Sequence, residues 1–510
     1  MGSRAKDLKL IIQTPLILVG ADALLINNII MDHIRKESDS MGEMSVPKSV
    51  LYGASTQRAV LNFPISGQTL DPELIRAFGL IKWAAAQANG SLGVISKEKE
   101  ALIKVAAEEI YLGKHYEHFP VDVYQTGSGT STNMNVNEVI ANRCAQIAGL
   151  ELDSAKDLKP VHPNDDVNQS QSSNDTFPTA MHVAVVTQIK NELLPELRLL
   201  QKALHDKASE FSGVLKIGRT HLMDATPITL GQEFGGFARQ IELAVQRMEN
   251  ALEHLLELSL GGTAVGTGIN CHEEFPGLAI NFISDKTGIQ FREASNHFES
   301  QSSKDALVEC HGQLNTINTS LFKIANDIRL LGSGPRCNLG EIKLPPTQPG
   351  SSIMPGKVNP VMSEALTMIA ARVFGNQTTV TWAGANGHLQ LNAFMPVMIQ
   401  CIMESINLTT KGCRAFREKS VEGITANSER CNSFIDQSLA MATSLAPVLG
   451  YDLATQIAKE SLEINKTVFQ VCISRLAEIQ AIDANMDEAK LKHILDPIGM
   501  IGSSASSKPE

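Results

Sequence analysis

None of the eight cysteines stands in a CxxC pair or in a Cys/His cluster at metal-ligand spacing. Neither a zinc nor an iron–sulfur centre is therefore indicated. Thiols scattered singly suit a reducing compartment. Positive charge is also short: 44 Lys+Arg against 55 Asp+Glu leave a formal net charge of −11. Nucleic-acid and membrane-surface binders carry a basic footprint, so neither partner is expected. A small anionic substrate would need a locally cationic pocket. Long apolar runs are missing too. Leu10–Ile12 and Leu16–Val19 are broken up by Pro15, Asp22, Asn27 and Asn28, too irregular for a membrane span, a secretory signal or an arginine-rich transit peptide. Residues 1–32 read as an N-terminal extension of unknown role, and the expected location is cytoplasmic, with the mitochondrial matrix as the alternative.

What is present is helical periodicity. At 510 residues with 43% hydrophobic content, two or three domains of a globular protein are expected. An irregular start with a short hairpin precedes helices near Asp71–Gly90 and Glu98–Leu112. Three long helices follow. The first is led in by Pro178 and carries Val186, Ile189, Leu193, Leu197, Leu200, Leu204 and Phe211, with a bend expected at Pro195. The second carries Phe234, Phe237, Ile241, Ala244, Met248, Leu255 and Leu258. The third steps by threes and fours through Leu307, Cys310, Leu314, Ile317, Leu321, Ile324, Ile328 and Leu331. Twenty-five such residues make roughly 37 Å of helix with a narrow apolar seam. Such helices suit an extended bundle that packs against copies of itself. Beyond Gly423 the helices shorten, and Gly502–Glu510 reads as a frayed tail. The expected division is 33–171, 172–424 (the central helical bundle) and 425–510.

Four polar stretches interrupt the helices, each expected at or near a helix start: Ser128–Asn133, His162–Asn174, Gly218–His221 and Gly350–Glu364. Thr126-Gly127-Ser128-Gly129-Thr130 lacks the GK[ST] ending of a P-loop but offers hydroxyls and free N–H groups to an anion. Gly350-Ser351-Ser352-Ile353-Met354-Pro355-Gly356-Lys357-Val358-Asn359-Pro360 puts a hydroxyl, a cation and an expected helix N-terminus, with Asn359 as N-cap, within eleven residues. Composition alone leaves this loop open between a solvated turn and a site for an anion that loses a proton.

Gly350–Pro360 resembles the GSSxMPxKxNP signature of the fumarase/aspartase superfamily. The likeness extends through Gly127–Glu138, His162–Ala180, Lys216–Gln232, Gly261–Asn270 and Ser333–Pro335. Within it, His221, Gly261–Gly268 and Gly356 are similar to the class II, iron-independent fumarate hydratases rather than the aspartases, while Ser131-Thr132, Leu389–Asn392 and Gly423–Asn427 have an aspartase flavour. The resemblance implies a mostly α, three-domain fold whose long helices form a multi-subunit core in a homotetramer. It also implies active sites built from three subunits and reversible hydration of fumarate to L-malate, a tricarboxylic acid cycle step, with no metal or organic cofactor expected. Aspartate ammonia-lyase and a catalytically inactive relative are the alternatives.

Carried over position by position, the resemblance makes Ser351 the base that takes the C3 proton. His221 becomes the residue that handles the water, and Glu364 its carboxylate partner. Ser128, Gly129, Thr130, Ser172, Ser173, Asn174, Thr220, Ser352, Lys357, Val358 and Asn359 would bind the dicarboxylate. His162, Pro163, Asn164 and Asp165 resemble a second, non-catalytic carboxylate site. There Lys159 replaces a common arginine and loses its bidentate fork.

Overall fold

The computed structural model describes residues 33–502; the expected extension at 1–32, and the tail from 503 on, lie outside the described residues. Helices dominate, and strands occur only as five two-stranded pairings among the described residues. No described helix is long and apolar enough to cross a membrane. The chain divides into two compact units. One holds the described residues up to Val186 with Leu255–Asp305 and Trp382–Gln400; the other holds Thr187–His254, Ala306–Thr381 and the segment from Cys401 onward.

The first unit opens with the expected hairpin, β1 (Ile34–Asp39) paired antiparallel with β2 (Gly42–Pro47). Helix α1 (Pro72–Ser91) starts where Asp71 accepts the Glu73 N–H at 2.9 Å, with proline at its first position. Helix α2 (Lys97–Tyr111) is capped by Ser96. The two approach closely at Gly79, where a Cβ would sit 2.6 Å from the Tyr111 nitrogen. Helix α3 (Thr130–Ile147) and helix α4 (Ser173–Gln188) follow. α4 begins five residues before Pro178, which lies inside it. The Asp175 carboxylate accepts the Ser172 N–H at 2.9 Å and draws the Ser/Asn run into the first turn. In place of a simple bend at Pro195, a π-helical turn, Ile189–Leu193, joins α4 to α5 (Leu194–Glu210). Its wider spacing accommodates the N–H that proline lacks.

In the second unit, β3 (Leu215–Thr220) pairs antiparallel with β4 (Met223–Thr229) before α6 (Leu230–Leu255). Gly218–His221 is therefore the end of a hairpin strand and its turn, not a helix start; β-branched Ile217, Thr220, Thr226 and Ile228 favour strand. α6 stops short of Leu258, which lies in a two-residue strand paired with Arg292–Glu293. Helix α7 (Asp305–Leu331) buries the whole expected seam, from Leu307 to Leu331, at no more than 4% exposure. Helices α8 (Val361–Ala385) and α9 (Met395–Lys419) complete the long set. Polar contacts knit them together. His311 of α7 shares its Nδ1 with Gln377 Oε1 of α8 at 2.7 Å and its Nε2 with Ser405 Oγ of α9 at 2.8 Å. Asn376 donates to Ser405 Oγ at 3.0 Å, and Asn318 to Thr409 Oγ1 at 2.9 Å. Beyond Gly423, short helices enclose a small core of Ile435, Leu445, Ile457, Val471, Ile479 and Leu491, and Ile217 of β3 is built into it.

Candidate active site

In the first unit the structure joins two of the four polar stretches. Thr130 Oγ1 lies 2.8 Å from Ser128 Oγ and 2.7 Å from Ser173 Oγ, so the N-termini of α3 and α4 meet through a chain of hydroxyls. Two helix starts give this place a positive partial charge suited to a carboxylate. Gly129 caps α3 at φ +74°, and a Cβ there would fall 1.9 Å from the Phe177 ring. Only glycine combines that backbone with that contact. Ser172 Oγ accepts the Asn174 N–H at 3.2 Å, and the Asn174 amide donates to the Ala264 carbonyl at 2.8 Å. Beneath them Asp175 is fully buried and accepts N–H groups of Ser172, Gly261 and Thr263. Burial pushes its carboxyl above the ordinary range against the pull of those donors.

In the second unit, Thr220 and His221 stand at the exposed tip of the β3–β4 hairpin. The two turn residues, His221 and Leu222, have φ of +56° and +62°. Those values mark a type I′ turn, which normally recruits Asn-Gly. A histidine and a leucine held there store strain of about 1–3 kcal/mol, a pattern that clusters at functional sites. The strand leading to the tip is anchored by charge. Arg219 grips both oxygens of the fully buried Glu341, at 3.0 and 2.9 Å, and buried Lys216 reaches Glu341 at 3.1 Å and Glu233 at 2.8 Å.

The Gly350–Pro360 loop closes on itself. Gly350 N–H donates to the Lys357 carbonyl at 2.7 Å, and the Asn359 amide donates to the Gly350 carbonyl at 2.8 Å. Asn359 is thus a brace across the neck of the loop, not the side-chain cap of α8. Within the loop, Ser351 Oγ accepts the N–H groups of Ile353 and Met354 at 3.2 and 3.0 Å. Two donors aimed at that oxygen stabilise its alkoxide form. Ser352, Lys357 and Val358 are exposed, and Lys357 makes no ion pair among the described residues. Glu364 lies in the first turn of α8, and its carboxylate makes no hydrogen bond or ion pair among the described residues. Among the described residues of this unit no hydrogen bond or ion pair brings His221 to Glu364 or to Ser351.

The second carboxylate stretch is a capped turn. His162 Nδ1 accepts the N–H groups of Asn164 and Asp165 at 3.3 and 3.1 Å at the head of a π-helical turn that starts with Pro163. Lys159, the cation expected there, donates instead to Asn142 Oδ1 at 2.9 Å and pairs with Glu37 at 3.3 Å. A cavity of about 360 Å³ opens between these groups and the β1–β2 hairpin. One group of possible metal ligands exists among the described residues, His115, Glu117 and His118, in a turn separate from the polar loops. His115 Nε2 is already held by Glu109 at 2.9 Å.

Residues 42–375 match the family model described as Lyase, and residues 441–502 the model described as Fumarase C C-terminus. The class II fumarate hydratase of Corynebacterium efficiens is 48% identical over 93% of this chain and 98% of its own. The chain belongs to the class II fumarate hydratase family. The mitochondrial fumarate hydratase of Rhizopus oryzae is 50% identical over 87% of this chain and 90% of its own. The solved class II fumarase of Schistosoma mansoni superposes with a TM-score of 0.87 at 36% identity, covering 92% of this chain and 99% of that one. The mostly helical fold expected of a class II fumarase is therefore the observed one.

Two supporting residues of this fumarase-family chain lie outside every stretch that carries the family likeness: Lys82 and Glu341. Each is a buried charge whose partners lie on other elements, and apolar periodicity carries no trace of them. The one available signal is an ionisable residue set among apolar neighbours, as Lys82 is in Leu80-Ile81-Lys82-Trp83.

Proposed function

We propose that the chain catalyses the reversible hydration of fumarate to (S)-malate. The observation that carries the reading is the Ser351 hydroxyl, poised on two backbone N–H groups in a loop of the family's signature. In the dehydration direction Ser351, as alkoxide, takes the proton from C3. The C–H electron pair flows into the adjacent carboxylate to give an aci-carboxylate, whose extra negative charge Lys357 and nearby N–H groups stabilise. The C2–O bond then breaks as His221, with Glu364 as its carboxylate partner, supplies the proton that makes the leaving hydroxide water. Ser128, Thr130, Ser172, Ser173, Asn174 and Thr220 bind the carboxylates, with Gly129, Ser352 and Val358 shaping the pocket. Asn359 contacts substrate only by exchanging its bond to Gly350.

The reading includes a homotetramer with sites shared between subunits. Supporting it are the exposed apolar residues beside the polar loops: Leu222 and Met223 at the hairpin tip, Ile353 and Met354 in the serine loop. The three-part division at 171/172 and 424/425 belongs to the same proposal, as does a cytoplasmic site of action, which suits eight free thiols. Hydratase and ammonia-lyase are separated by incubating chelator-treated protein with fumarate and following its ultraviolet absorbance, with and without ammonium. Loss without ammonium is the expected result; loss only with ammonium would make the chain an aspartase, and no loss would make it an inactive relative.

A further inference from the structure

Lys82 is 0% exposed, in the middle of α1, with no carboxylate among the described residues within hydrogen-bond reach. Its ammonium donates to Asn168 Oδ1 at 2.9 Å and to Gln171 Oε1 at 3.0 Å. Asn168 Oδ1 also receives the amides of Asn133 and Asn137 from α3, at 3.0 and 3.3 Å, while its own amide donates to the Gln171 carbonyl at 3.1 Å. One oxygen therefore ties three elements: α1, α3 and the segment that enters α4. The two ends it secures carry the hydroxyl chain, because Asn133 lies one turn beyond Thr130 and Gln171 immediately precedes Ser172. A full charge is an expensive choice for a purely structural knot. A buried amide could make similar bonds without the desolvation penalty. Burial pulls the Lys82 ammonium down to about 7, with buried Asp175 the charged group that opposes the shift.

We propose that Lys82 is a positioning residue for the dicarboxylate site, holding the starts of α3 and α4 together and setting a positive charge beneath the place where the substrate carboxylate lies. It acts through Asn168 and Gln171 and does not touch substrate. This rests on the hydratase reading: a wild-type protein without activity on fumarate or malate would remove that reading, whereas the outcomes below concern Lys82 alone.

The test is a split between KM and kcat. Lys82→Met keeps length and apolar bulk but removes the charge and its donors. It is expected to raise KM for malate and Ki for succinate, a dicarboxylate that cannot be dehydrated, by about tenfold, with kcat changed less than threefold. Lys82→Arg, which restores charge and donors, should recover part of the affinity. Gln171→Leu, the alternative should Lys82→Met fail to fold, removes one of the two Lys82 bonds together with the Gln171 amide's bonds to the Val167 and Gln169 carbonyls, and should raise KM several-fold. The proposal is overturned if folded Lys82→Met, or Gln171→Leu in its stead, binds both ligands within twofold of wild type. It is equally overturned if kcat falls with KM and Ki unchanged.

Discussion

Gly129→Ala tests the meeting of α3 and α4 directly. The substitution adds one methyl group at a residue with φ of +74°, where an L side chain costs about 1–2 kcal/mol. It also drives that methyl to 1.9 Å from a ring carbon of Phe177, which is 0% exposed and packed edge-on against Phe78 at 5.7 Å. Ordinary carbon contacts lie near 3.5–4.0 Å, so the ring or the helix start must retreat by roughly 2 Å. Overpacking of this kind adds about 1–3 kcal/mol, for a total of about 2–5 kcal/mol. Gly93 supplies the control, because its φ is +72° and nothing lies within 4 Å of a Cβ there. Gly93→Ala should therefore show the backbone part alone. Urea unfolding of both variants separates the two contributions, and the malate KM of Gly129→Ala should rise because Ser128 and Thr130 move with the cap. Equal losses for the two variants, or an unchanged KM at position 129, would refute the close-contact argument.

Further outcomes are expected. Ser351→Ala should lower kcat by about 10²–10⁴, the range for loss of a positioned acid or base, with KM changed little; parity in kcat would remove Ser351 from the chemistry. His221→Asn should cut turnover while the assembly measured by light scattering persists. Mixing His221→Asn with Ser351→Ala under subunit exchange should restore activity if one site draws on different chains, and no recovery would refute sharing. Acid sensitivity should track His182, which burial depresses to about 4 and whose Nδ1 lies 2.8 Å from the Glu257 carbonyl. Its folded value lies below the unfolded one, so its share of stability is complete above pH ~6.5 and is lost as pH falls toward 4. That share is on the order of 3 kcal/mol, and His182→Gln should flatten the urea midpoint over this window.

The α7 seam was legible because its information is local: every third or fourth residue is apolar, and the structure buries each of them. The hairpin tip was not, because Gly218-Arg219-Thr220-His221 shows no alternation and its turn lacks the Asn-Gly that normally announces a type I′ geometry. Glu341 stands far from Lys216 and Arg219 in sequence, so the clamp that fixes the hairpin exists only after folding. The signature loop fell between these cases. Its motif announced a family, but the two N–H groups on Ser351 Oγ, and the use of Asn359 as a brace rather than a cap, are products of backbone conformation.

The His311 contacts carry a mechanical consequence. The two ring nitrogens face different helices, so a single axial alignment of α7, α8 and α9 satisfies both. Sliding α8 by one turn, 5.4 Å, would strand the ring, Gln377 and Asn376, each at about 1–3 kcal/mol. Gln377 lies 16 residues into α8, about 24 Å along its axis from the end that follows the serine loop. The polar belt therefore works as a ruler: it fixes the height at which the bundle presents Ser351, so the chemistry proposed for one end of α8 would be calibrated by hydrogen bonds two-thirds of the way down the helix.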